Sequence, residues 1–150
     1  MELTPIGIIH SPFTTMGQAP FQGCESEETS VIEVFHEYAQ GLRDIEGFSH
    51  LIVLYWCHKS AGFSLLVQTP WDPTPHGVFA SRSPRRPNPL GLSVVRLVAQ
   101  QGNVLKVKEL DAIDGTPVLD IKPYVPRIDG KADAQIGWLQ DRLGLRDVQS

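Results

Sequence analysis

Much of this chain reads in steps of two. In "SVIEVFH" (30–36), Val31, Glu33 and Phe35 fall on one side and Ile32, Val34 and His36 on the other, the spacing of a strand. "NVLKVKEL" (103–110) separates further, with Leu105 and Val107 on a dry face and Lys106 and Lys108 on a wet one. "LSVVRLVAQ" (92–100) precedes it across "QGN", a hairpin-like connection with glycine at the turn. "IGIIH" (6–10) and "TPVLDIKPYV" (116–125) add two more strands. "HLIVLYWCH" (50–58) is almost wholly apolar, which predicts a strand buried on both sides. Helical spacing is rarer. A short helix is predicted over 38–45, ended near Gly47. A second is predicted in "ADAQIGWLQDRLGL" (132–145), where Ile136, Leu139 and Leu143 recur at helical intervals and Asp133 is the N-cap. Residues 11–29 lack periodicity and read as a long loop, a feature that is often functional.

Many short strands with few helices predict an all-β-dominated fold: a small closed or nearly closed β-barrel with a short C-terminal helix. A Rossmann-like doubly wound sheet needs a helix between successive strands, and this chain lacks the room. The expected organisation is one domain, with the barrel in 1–130 and a helical tail of the same domain in 131–150. Seventeen acids against 13 Lys and Arg give a net charge of −4, so any polyanion must bind a local basic patch. Cys24 and Cys57 have no CxxC spacing, and reduced thiols are expected. The longest apolar run, "LIVLYWC", is far short of a membrane span, and "MELTPIGIIH" lacks the build of a signal peptide. A cytoplasmic protein with no membrane partner is the expectation.

The densest cationic cluster is "SRSPRRPNPLGLS" (81–93). Pro84, Pro87 and Pro89 fix their own φ and hold their neighbours extended, so the segment gives up little entropy when it binds. Arg82, Arg85 and Arg86 offer planar donor forks suited to carboxylate or phosphate, and Asn88 can hold a turn or touch a ligand. The plainer reading is a surface connector, but the apolar flanks "GVFA" and "LSVV" anchor both ends of this loop. In "DIKPY", Asp120, Lys122 and Tyr124 share a face if the segment is extended; they form either a catalytic group or a solvated strand edge, which Pro123 favours. Asp114-Gly115 is a favoured hairpin turn in its own right. The five histidines show no HxH or HExxH pairing, and no metal site is expected.

"GVFASRSPRRPNPLGLSVV" together with "DAIDGTPVLDIKPYVP" resembles the signature of the TrmO (YaeB-like) family of tRNA methyltransferases, whose members carry a GVFATRSPxRPNPIGLS-type segment followed by D-G-T-P-x-x-D-I-K-P-Y. "IGIIHSPF" and "GFSHLIVLYWCHK" resemble further family blocks. The resemblance implies a homodimeric β-barrel that uses S-adenosyl-L-methionine to N6-methylate threonylcarbamoyl-modified adenosine beside the tRNA anticodon, at position 37. Carried over residue by residue, it implies cofactor contacts at Gln22, Gly23, His58, Lys59, Arg82, Leu92, Asp114, Gly115, Thr116 and Pro117. For the transfer itself, Asp120 is the candidate general base, beside Lys122 and Tyr124, because the attacking nitrogen must shed a proton. Arg85, Arg86 and Asn88 are the candidate RNA contacts. Two other readings stay open: a methyltransferase of this fold with another nucleic acid or small-molecule substrate, and a non-catalytic cofactor-binding barrel.

Overall fold

The computed structural model describes residues 1–14, 28–140 and 142. Contacts gather the chain into two compact units. One comprises Met1–Ser60 with Pro89–Tyr124, the other Ala61–Asn88 with Val125–Ser150.

The first unit is the expected barrel, and it is closed. Its strands are β1 (Gly7–His10), β2 (Thr29–Val34), β3 (His50–Trp56), β6 (Leu90–Gln101), β7 (Val104–Lys108) and β8 (Pro117–Pro123), joined in the order β1-β2-β7-β6-β3-β8. Every pairing is antiparallel, and β8 closes on β1 through Gly7↔Val118 and Ile8↔Pro117. The twelve-residue β6 serves two neighbours: Leu90–Arg96 pairs with β3, and from Arg96 onward the strand pairs with β7, across an irregularity between Leu97 and Ala99. Alternation then fills the interior. Ile9, Ile32, Val34, Leu51, Val53, Val95, Leu105, Val107 and Val118 are all buried, so each of the six strands supplies the core. The "QGN" hairpin forms between β6 and β7, with Gly102 at φ 61°.

Four expectations change. The segment 50–58 is not buried on both sides: Leu51, Val53 and Tyr55 point inward, whereas Ile52 and Leu54 are half-covered and Trp56 is exposed. A barrel has one interior, so only alternate residues enter it. Pro123 does not mark an edge strand, because β8 lies between β1 and β3; it is the last residue of its strand, opposite Leu51. The helix over 132–145 with Asp133 as N-cap is absent among the described residues. Gly137 takes φ 54°, left-handed backbone that a right-handed helix cannot contain, and only a 3₁₀ turn, Gly137–Leu139, follows. The one α-helix described, α1, is the single turn Pro126–Asp129, opened by its proline. The predicted short helix after β2 is 3₁₀ over His36–Leu42 and Ile45–Gly47.

The second unit holds a hairpin that the sequence pattern missed, β4 (Leu66–Thr69) with β5 (Asp72–Gly77). Pro73 and Pro75 hide β5 from propensity; a two-stranded sheet tolerates them because each strand has an open edge. Asp72 accepts from the backbone N–H of Thr74 at 3.0 Å, and its Oδ2 lies 3.1 Å from His76 Nε2 and 2.9 Å from Arg142 Nε. The Thr74 N–H above all, then His76 and Arg142, hold its carboxyl well below the ordinary 3.8. A depressed carboxylate stabilises the fold above its unfolded pKa, and that contribution fades as the pH falls toward the folded one. Urea titrations should therefore show Asp72→Asn trailing the parent by a constant margin between about pH 5 and 8, and the gap closing below about pH 4. No described helix is long and apolar enough to cross a membrane.

Candidate functional site

Strand register brings several of the expected site residues to one rim of the barrel. Tyr55 pairs with Gly91 on one side and Val118 on the other, so the end of β3 and the beginnings of β6 and β8 coincide. His58 and Lys59 leave from the end of β3, Leu92 lies near the start of β6, and 114–117 lead into β8 at this rim. His58 is half-buried, and its Nδ1 is a buried nitrogen with no hydrogen-bond partner. Lys59 and Leu92 are exposed.

The 114–117 turn is tied to β1 and the segment after it. Gly115 N–H donates to Ile9 O at 2.8 Å, Asp114 N–H to Phe13 O at 2.6 Å, and Ser11 N–H to Asp114 Oδ1 at 3.0 Å. Thr116, buried, donates its hydroxyl to Ile113 O at 2.7 Å. These bonds shape the turn and leave the exposed Asp114 carboxylate at its tip.

Behind the turn lies a polar cluster absent from the sequence expectations. Tyr55 and Ser93 both point into the barrel, and both donate to Asp111 Oδ1, at 2.6 and 2.7 Å. Burial first, then the Asp111 charge and hydrogen bond, push the Tyr55 hydroxyl far above its ordinary 10.0, so it remains a donor. Asp111 thereby holds the β7–β8 connection against the barrel wall. A signal was present: Tyr55 and Ser93 share the inward parity of Val53 and Val95, and a buried hydroxyl demands a partner. The partner stands 18 residues beyond Ser93 and 56 beyond Tyr55, which no local pattern reveals.

The arginine loop, in the second unit up to Asn88, owes its shape to more than proline. Ser81 Oγ accepts from Ser83 N–H at 3.3 Å and Ser83 Oγ from Arg85 N–H at 3.2 Å, two successive serine turns. Arg86 folds back, its Nη1 donating to Ser81 O and Ser83 O at 3.0 Å each. Arg86 thus fastens the loop from inside, while Arg82, Arg85 and Asn88 are exposed. Val78, buried, anchors the entry to the loop.

Asp120, Lys122 and Tyr124 run away from this rim. Asp120 is three residues along β8 from Pro117, about 10 Å at strand rise, and Tyr124 reaches the far end, where its N–H donates to His50 O. Lys122 Nζ lies 3.2 Å from Asp120 Oδ2. Asp120 borders a separate cleft of about 440 Å³, whose lining includes Ile6, Val34, Glu37, Tyr38 and Ile121. Gln22 and Gly23 lie outside the described residues. Among the described residues, no group of three or more His, Cys, Asp or Glu could hold a metal ion.

Comparison with known proteins gives this arrangement a family. The tRNA-methyltransferase O N-terminal domain matches residues 8–130. A probable S-adenosyl-L-methionine-binding protein of Archaeoglobus fulgidus is 52% identical over 141 residues, 94% of this chain and 38% of that one. The tRNA (adenine(37)-N6)-methyltransferase of Escherichia coli is 36% identical over 93% of this chain and 64% of its own length. The crystal structure of TrmO from Pseudomonas aeruginosa superposes with a TM-score of 0.77 at 35% identity, covering 92% of this chain and 62% of that chain. This chain therefore spans between about two fifths and two thirds of these three relatives. The family match covers both signature segments and all six barrel strands except the first residue of β1, and the chain belongs to the tRNA-methyltransferase O N-terminal domain family.

Proposed function

We propose that this chain is an S-adenosyl-L-methionine-dependent tRNA methyltransferase that methylates N6 of adenosine 37, with the threonylcarbamoyl-modified base as its substrate. The observation that carries this reading is the family match over 8–130, joined by 36% identity to an enzyme named for that reaction. Residues 1–130 are the methyltransferase domain and 131–150 its tail.

The rim fits a nucleoside cofactor bearing both charges. The orphaned Nδ1 of His58 needs a polar partner, and the Asp114 carboxylate suits an ammonium or ribose hydroxyls; Arg82, a residue of the second unit, enters as a carboxylate contact through the family resemblance alone. Lys59, Leu92, Gly115, Thr116 and Pro117, with Gln22 and Gly23, complete the set that holds it. S-adenosyl-L-methionine, when bound, supplies a methyl group activated by a sulfonium. Oriented reactants reach effective molarities of about 10⁵–10⁸ M, so positioning by these residues is the main catalytic device. Asp120, ion-paired with Lys122, takes the proton that the adenosine nitrogen releases, with Tyr124 farther along, just past the end of β8; full turnover in Asp120→Asn at unchanged cofactor affinity removes it from that role. Arg85 and Asn88 meet RNA phosphates, with Arg86 presenting them. The same reading puts the protein in the cytoplasm as a homodimer. Its outer β3–β6 surface, where exposed Trp56 pairs with exposed Leu90, is the contact such a dimer buries.

The test is transfer of labelled methyl from S-adenosyl-L-methionine to tRNA with and without threonylcarbamoyl-adenosine. Label on N6 of the modified base alone is the expected result. Label on unmodified tRNA corrects the substrate, and absence of transfer to either overturns the reading. A specific observation favours one alternative: the relative that is 52% identical carries only the name of a cofactor-binding protein. In that case the melting temperature rises with S-adenosyl-L-methionine, and no tRNA accepts methyl.

A further inference from the structure

The tail beyond the family match is not idle chain. The match ends at residue 130, and 131–136 hold no helix or strand. Yet the 3₁₀ turn that follows is closely fitted to the hairpin of the second unit. The Trp138 indole stacks on the His76 imidazole, ring centroids 3.8 Å apart and planes 10° from parallel. Its Nε1 donates to Ala80 O at 2.8 Å. Four residues on, Arg142 Nε lies 2.9 Å from Asp72 Oδ2, the oxygen that also faces His76 Nε2. Three contacts from Trp138 and Arg142 thus converge on both ends of β5 and on the residue after it that matters most: Ala80 immediately precedes Ser81, the first anchor of the arginine loop.

The placement has a physical consequence. The serine turns and the Arg86 clamp make 81–86 internally rigid, but they refer the loop only to itself. Ala80 places its root, and farther along Ser64 N–H donates to Arg85 O at 3.2 Å. On one side Ala80 is steadied by buried Val78, and on the other by the Trp138 N–H. Gly137, at φ 54°, lets the chain present the indole at this angle.

We propose that Trp138 is a positioning residue for the arginine loop, with Gly137–Leu139 and Arg142 acting as a clasp that fixes the root of that loop. The part of this inference that concerns ligand binding rests on the reading of the loop as an anion contact; the clasp itself does not.

Trypsin reads the clasp directly. It can cut after Arg82 and after Arg85, whereas proline blocks the bond after Arg86. Arg96, within β6 of the barrel, serves as an internal control. In the full chain, Trp138→Ala should speed cleavage after Arg82 and Arg85 by about tenfold, the sum of a lost stack and a lost hydrogen bond, with cleavage after Arg96 unchanged. Trp138→Phe keeps a ring over His76 and removes only the donor, so its rate should fall between. Binding to unfractionated tRNA should weaken by about tenfold in Trp138→Ala at an unchanged salt slope, because the number of phosphates contacted stays the same. Parental rates after Arg82 and Arg85 in both variants overturn the clasp. Faster cleavage with undiminished tRNA affinity upholds the clasp and overturns the loop as an RNA contact. Equal acceleration at Arg96 signals general unfolding, and overturns a positioning role.

Discussion

Asp111→Ala lowers stability by about 2–4 kcal/mol in urea denaturation, the largest effect expected of any single polar substitution in the barrel. The reason is not the loss of a surface charge. Tyr55 and Ser93 are 7% and 6% exposed, and both donate to the same carboxylate oxygen. Removing it breaks two charge-assisted bonds, and the two hydroxyls, 3.3 Å apart, can then satisfy only one of their two donors between them, leaving the other with a desolvation penalty of about 1–3 kcal/mol. Asp111→Asn retains a carbonyl acceptor in the same place and should lose less than half as much. Adding Tyr55→Phe and Ser93→Ala to Asp111→Ala should return most of the stability, because the donors are then gone as well. A triple variant as unstable as Asp111→Ala sinks this account. The tyrosine also sets an alkaline limit. Its folded pKa is raised, so its contribution to stability is fully present below about pH 10 and is lost as the unfolded chain's tyrosine ionises above it. Tyr55→Phe removes that residue's share of the decline.

Gly91→Ala destabilises by about 1–3 kcal/mol, as overpacking in a closed interior does. A Cβ built at Gly91 falls 2.2 Å from Tyr55 Cε2, 2.5 Å from Cζ and 2.8 Å from Cδ2, so the tyrosine ring lies across the glycine. The ring cannot step aside without breaking its bond to Asp111, which couples this prediction to the first. The same substitution placed in Tyr55→Ala should be nearly neutral, since the obstructing ring is absent. An undiminished penalty in that background would show that the glycine serves the backbone and not the ring. The structure makes Gly91 a bed for Tyr55 within β6, opposite that residue in register.

The barrel was readable because alternation is local. Leu105 and Val107 announce an inward face whatever lies across from them, and both are fully buried. The arginine loop was readable for the same reason: its prolines and arginines are contiguous. Three things were not. The β4–β5 hairpin carries prolines that mimic loop, and its identity comes from pairing across the turn. Spacing in 132–145 imitates a helix, but Trp138 gains more by reaching His76 and Ala80 than a helical turn offers, and Gly137 permits the departure. Arg86 reads as a ligand contact beside Arg85, whereas its guanidinium closes on the carbonyls of Ser81 and Ser83.

Sequence alone determined the barrel strands, the closed-barrel class, the family and the stiffness of the cationic loop, because each rests on neighbours within a few residues or on a long contiguous motif. The tertiary structure decided which polar groups share a partner. It joined Tyr55, Ser93 and Asp111, set His58, Leu92 and the 114–117 turn on one rim while sending Asp120 toward the other, and turned the tail into a clasp on β5. A hydrogen bond or a ring stack forms between atoms within about 3–7 Å. Only the closing of the chain on itself brings residues 18, 56 or 58 positions apart to that range.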